Sequence, residues 1–186
     1  MFAARNPAMK ACKVGRVALP PETTLSLWFA NAQLADAYAI RLPAAASSDP
    51  AVLASAALGS MPRGGSVIMS VRDMLVRPLG IKTTPAIAQA GRATRHALIG
   101  FFPILERLED EIILGEDDRH LDFRISFMVR ERGGHRELVW TSVVRTHGFL
   151  GNAYLAAVRP FHRLAINLCL MMAAWRGWPG EHGRGR

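Results

Sequence analysis

The chain has 186 residues, half of them apolar and a fifth charged, with two cysteines and a net charge of +8. At this length a single domain buries roughly 70% of its unfolded surface, so neither disulfides nor a structural metal is needed for a core. The cysteine count excludes a secreted disulfide scaffold. Twenty of the 23 basic residues are arginine, and the charge is patchy: residues 106–122 sum to −6 and residues 123–186 to +7. No zinc-finger spacing, RNP-like strand or helix-turn-helix accompanies that charge, so nucleic acid is not an expected partner.

The first 20 residues read as a loosely ordered lead, with residues 13–19 as an edge strand ahead of Pro20-Pro21. They hold no continuous apolar stretch of signal-peptide type, so the expected compartment is the cytoplasm. A short helix is expected through Leu25, Leu27, Trp28 and Phe29, then a strand over 36–42 in which Tyr38, Ile40 and Leu42 alternate. Asp49-Pro50 places an N-cap before a proline at the first helical position, opening a helix that stops near Gly59. Ser66 caps a second expected helix, with Val67, Ile68, Val71, Met74 and Leu75 on one face and Pro78 ending it. Residues 81–97 lack a clear period and are expected to be a long loop acting as a lid.

Strands are expected next over 99–106, 111–114, 119–130 and 137–147, with turns at 115–118 and Gly133-Gly134. The third is the clearest, because Leu121, Phe123, Ile125, Phe127 and Val129 alternate with polar residues. A helix is expected over 151–175, kinked or restarted by Pro160. Its apolar run, residues 164–175, is far shorter than the roughly 20 residues that cross a bilayer. The expected domain is therefore α+β, a curved antiparallel sheet covered by a long C-terminal helix, with two shorter helices after the first strand. That is the helix-grip arrangement. It spans residues 21–177, with 178–186 as a disordered Gly/Arg tail.

The stretch 115–124, with 99–105 before it and 150–155 and 159–163 after it, resembles a bacterial family of unknown function. Ala35-Asp36-Ala37 and residues 72–80 fit the same pattern, so the resemblance runs from about residue 25 to 175. It implies a START-like, polyketide-cyclase-like (SRPBCC) helix-grip fold. Such a domain is sometimes joined to a short-chain-dehydrogenase-like nucleotide-binding domain, whose G-x-G-x-x-G fingerprint this sequence lacks. The resemblance supplies no catalytic residues.

The residues themselves offer three constellations. His120, Asp122 and Arg124 alternate along one strand face. Asp122 would orient His120 as a general base while Arg124 holds an anion; otherwise this is a solvent face with cross-strand pairs to residues such as Arg145. His162 lies on the apolar stripe of the last helix, as a packed core residue or as a cavity-lining acid or base. With Arg159 it would give a cavity a cationic end suited to an amphipathic carboxylate. The methionines 69, 74, 128, 171 and 172, with Phe101, Phe102, Phe123, Phe127, Trp140 and Trp175, form core or a soft apolar pocket.

The leading expectation is a binder of a small hydrophobic or amphipathic molecule between sheet and helix, lined by Arg159, His162, Phe123, Phe127, Trp140 and Arg124. The alternatives are a cofactor-independent cyclase or dehydratase with His162, or His120 and Asp122, as acid/base groups, and an interaction or accessory domain without a usable pocket. No metal and no cofactor are expected, since only His120-x-Asp122 has ligand-like spacing. Ser126, Ser142 and the apolar Cys169 do not read as nucleophiles, and Gly64-Gly65-Ser66 reads as a turn or an anion-binding helix start. A homodimer is an open option.

Overall fold

The computed structural model describes residues 13–60 and 97–180. Strand β1 (Gly15–Val17) leads into a 3-10 helix (Thr24–Asn31), then strand β2 (Leu34–Arg41) and helix α1 (Pro50–Gly59). Strands β3 (Leu98–Ile99), β4 (Phe102–Arg107), β5 (Glu111–Asp117), β6 (Leu121–Arg132) and β7 (His135–Thr146) follow, and helix α2 (Gly148–Arg176) ends the fold. All seven strands form one curved antiparallel sheet in the order β1-β2-β7-β6-β5-β4-β3. The α+β class is thus established.

Local chemistry explains most boundaries. Asp49 caps α1 by accepting from the Ala51 N–H, and Pro50 occupies the first turn, where its missing N–H costs nothing. The tight β6–β7 turn uses Gly133 and Gly134, both at positive φ. Gly100, also at positive φ, splits the single strand expected over 99–106 into β3 and β4. The expected turn at 115–118 is shifted, because Gly115 pairs with Arg124 inside β5. A Cβ at Gly115 would lie 2.4 Å from the Phe123 carbonyl oxygen, so glycine serves close strand approach there rather than turning. Helix α2 starts at Gly148 and runs unbroken through Pro160.

The inner face of the sheet carries Tyr38, Ile40, Leu138, Trp140, Ile125, Phe127, Ile112 and Leu114. It is covered by α1, through Leu53, Ala54 and Ala57, and by the C-terminal half of α2, through Ile166, Cys169 and Leu170. The opposite face is covered too. Leu25, Trp28 and Phe29 of the 3-10 helix pack on Ile113 and Val143, while Val17 and Leu19 pack on Ala37, Ala39, Met128 and Val139. Glu111 fastens this cover from inside: its buried carboxylate accepts from the Thr23, Thr24 and Ser126 hydroxyls and from the Thr24 N–H. Every lone pair that matters is engaged, which is what lets a carboxylate stay buried.

β1 falls within the edge strand expected over residues 13–19 and is three residues long. Beyond residue 177, Trp178 packs on the core, the Pro179 carbonyl accepts from the Ser47 N–H at 2.7 Å, and Gly180 bridges to Ala46. The second expected helix from Ser66, the lid over 81–97 apart from Ala97, and the residues 181–186 lie outside the described residues. Among the described residues no helix is long and apolar enough to cross a membrane.

Candidate functional site between the sheet and helix α2

In β2 the inward positions are Asp36, Tyr38 and Ile40, while the outward ones are alanines that let β1 lie close. Register places Asp36 opposite Ser142 and Tyr38 opposite Trp140 of β7. His162 sits on the stripe of α2 that faces the sheet, one turn before Ile166. Its Nε2 lies 3.2 Å from Asp36 Oδ1, across 126 residues of chain. The Tyr38 hydroxyl donates to the other Asp36 oxygen at 3.4 Å, and Trp140 Nε1–H donates to Ser142 Oγ at 3.1 Å.

These five polar side chains share one end of an otherwise apolar interior. Asp36 is only 9% exposed and Tyr38 only 3%, whereas His162 keeps 22% of its side chain open to solvent. Burial, and next the Asp36 carboxylate, push the Tyr38 phenol above its ordinary value, while Arg163 and Arg16 pull it back. Tyr38 therefore remains a proton donor at neutral pH. His162 meets Asp36 through Nε2, so Nδ1 is the ring nitrogen turned away from that carboxylate. An aspartate-oriented imidazole beside a protonated phenol can accept and deliver protons, or hydrogen-bond a hydroxyl or carbonyl group.

The apolar side of the same interior is aromatic. Phe123 is half-buried on β6 and meets Phe102 edge to face at 5.6 Å. Phe127 and Trp140 are packed together deeper, with ring centroids 4.6 Å apart. Of the residues singled out from sequence, His162, Phe123, Phe127 and Trp140 therefore lie between the sheet and the helices. Arg159 is exposed on α2, so the cationic end reduces to His162, already paired with a carboxylate. Met69 and Met74 lie outside the described residues.

Asp122 and Arg124 fall on the opposite face, so they do not join this group. That face is not open to solvent either. Arg124 pairs with Asp117 at 2.7 Å and stacks on Trp28 of the 3-10 helix, 4.3 Å from the ring centre. Arg145 stacks on the same ring at 4.1 Å and donates to the Leu27 carbonyl. Asp122 reaches His147, not His120, at 2.9 Å. His120 lies in the turn before β6, where its carbonyl accepts from the His147 N–H. β6 starts at Leu121, two residues later than the alternation predicts, so His120 and Asp122 do not share a strand face.

Among the described residues no three His, Cys, Asp or Glu side chains converge as a metal site. A shallow groove of about 300 Å³ opens on the outside, between residues 18–22 and 130–132, remote from His162. Sequence reasoning missed Asp36 and Ser142 as site residues. Their signal was present: an aspartate at an inward position of β2, and a serine on the inward phase of β7.

No curated protein and no solved structure matches the chain. The profile of the family described as "Protein of unknown function (DUF2867)" matches residues 28–169, a span that includes Asp36, Tyr38, Trp140, Ser142 and His162. The chain belongs to that family.

Proposed function

We propose that this chain is a helix-grip domain of START-like type, and that it binds a small hydrophobic or amphipathic molecule between the inner sheet face and the N-terminal half of α2. The observation that carries the reading is the His162–Asp36–Tyr38 group, held at one end of an apolar, aromatic interior. A handful of convergent polar groups in an apolar surround is the usual composition of a small-molecule site. Because His162 is paired with a carboxylate and Arg159 points to solvent, a neutral head such as a phenol, alcohol or ketone fits better than a carboxylate.

The test is a thermal-shift screen of hydrophobic alcohols, phenols, ketones and carboxylates, with native mass spectrometry on the gently purified protein. A ligand at about 100 times its Kd stabilises by about 2.7 kcal/mol. At this chain length that raises Tm by roughly 5–10 °C. Loss of the shift in a folded His162→Ala variant supports the site, whereas a bare protein that no compound stabilises overturns it.

The aspartate–histidine pairing favours a second reading on the same scaffold, a cofactor-independent cyclase or dehydratase with His162 as the acid/base group. It requires turnover that vanishes in His162→Ala while ligand affinity stays.

A further inference from the structure

The polar group at His162 is rimmed by cations from two separate elements. β1 runs antiparallel to β2 with Arg16 directly opposite Tyr38, so the two side chains leave the sheet on the same face, the one that α2 covers. Arg163 follows His162 on α2 and Arg159 precedes it by just under one turn, which sets both guanidinium groups on one flank of the stripe that meets the sheet. Arg16 and Arg163 both draw the Tyr38 phenol downwards against the rise that burial imposes, so both charges are felt at that hydroxyl. All three arginines are exposed, and among the described residues none of them has an ion-pair partner.

The surrounding elements do nothing to neutralise these charges. β1 and α2 contain no acidic residue, and Asp36, the one acid of β2, is engaged by His162 and Tyr38. Arg159 and Arg163 stand four residues apart, a like-charge spacing that works against the helix and is relieved by an anion. Resting on the small-molecule reading above, we propose that the ligand is the phosphate ester of a hydrophobic alcohol or phenol. Its apolar body lies in the aromatic interior, the oxygen that links the two parts lies beside His162 and Tyr38, and the phosphate sits at the rim between Arg16 and Arg163, with Arg159 next to it.

Oxygen count and placement select a phosphoryl group over a carboxylate. A carboxylate has two oxygens, which a single guanidinium fork occupies, whereas a phosphate monoester presents three, enough to be held by forks arriving from a strand and a helix at once. An anion set deeper, against Asp36, would meet a like charge; at the rim it meets arginine and the partly exposed His162. Because the arginines are exposed, their hold weakens with salt, over a screening length of about 10 Å at 0.1 M.

Isothermal titration calorimetry of the full chain with decanol and with decyl phosphate, at low and at high salt, tests this. Decyl phosphate is expected to bind at least tenfold more tightly than decanol at low salt, with the advantage shrinking as salt rises. In an Arg16→Gln, Arg163→Gln double variant the advantage disappears while the affinity for decanol stays; both sites are exposed, so circular dichroism and Tm match the parent chain. Decanol that binds with no advantage for its phosphate ester overturns this inference and leaves the small-molecule site standing, whereas failure of both compounds overturns both. An advantage that survives in the double variant puts the phosphate elsewhere, and an equal advantage for undecanoate removes the phosphoryl preference; each overturns the proposal. Pyrophosphate that binds alone as tightly as decyl phosphate would assign the arginines to a free anion. Cosedimentation with vesicles of phosphatidylcholine and phosphatidic acid that decyl phosphate does not compete away would assign them to a bilayer surface, and either result overturns the proposal equally.

Discussion

Asp36 is the residue whose removal distinguishes a built polar site from incidental neighbours. Asp36→Ala deletes both acceptors at once. The Tyr38 hydroxyl, 3% exposed, loses its acceptor, at a cost of about 1–3 kcal/mol. The His162 contact is charge-assisted, but the imidazole is 22% exposed and recovers part of its loss from solvent, leaving about 1 kcal/mol. The sum, about 2–4 kcal/mol, lowers Tm by roughly 5–15 °C in a chain of this length. Urea denaturation of Asp36→Ala, His162→Ala and the double variant isolates the pairwise part, expected at about 1 kcal/mol. Strict additivity, within about 0.3 kcal/mol, would refute the argument that His162 and Asp36 act as a pair.

Glu111→Ala strips three hydroxyls and an N–H of their shared acceptor and should cost about 3–5 kcal/mol, read in urea, while Glu111→Gln keeps part of the network and costs less. Gly151→Ala places a Cβ 2.1 Å from the His120 carbonyl oxygen, so α2 must shift; a loss of about 2–4 kcal/mol in thermal or urea melts is expected, and an unchanged melt would contradict that packing. Burial pushes the Cys169 thiol up to about 11, so mass mapping after iodoacetamide at pH 8 should find it unlabelled in the folded protein. Since the folded value exceeds the unfolded one, this thiol supports the fold fully below its ordinary range and loses that support as pH rises towards 11. Cys169→Ala should flatten that alkaline decline.

Periodicity carried most of the fold. The alternation in β6 and the Asp49-Pro50 start of α1 were legible because each depends on residues adjacent in sequence. The hidden part was non-local. Ser126 and Met128 are buried on the face that looked solvent-directed, because the 3-10 helix and the segment around β1 fold over it from a hundred residues away. Arg124 then reads as polar in a pattern, yet sits under Trp28 with its aliphatic stem packed. Gly115 looked like a turn signal because close strand approach and tight turning both select glycine, and only the neighbouring strand distinguishes them. His162 is legible from its place on an apolar helix stripe and Asp36 from its inward position on β2, but their pairing is not, since it depends on a helix 126 residues away folding back over β2.

The sheet ends on β1 with three residues and β3 with two, while its central strands β6 and β7 have twelve each. β1 pairs with three of the eight residues of β2 and β3 with two of the six residues of β4, so among the described residues each margin is a short, stepped edge rather than one long straight one. The long, apolar β6 and β7, which alone would be amyloid-competent segments, are enclosed on both sides by strands of the same chain. Resistance to edge-to-edge aggregation is thus set by the brevity of its two outermost strands, and lengthening either by insertion would be the quickest way to lose it.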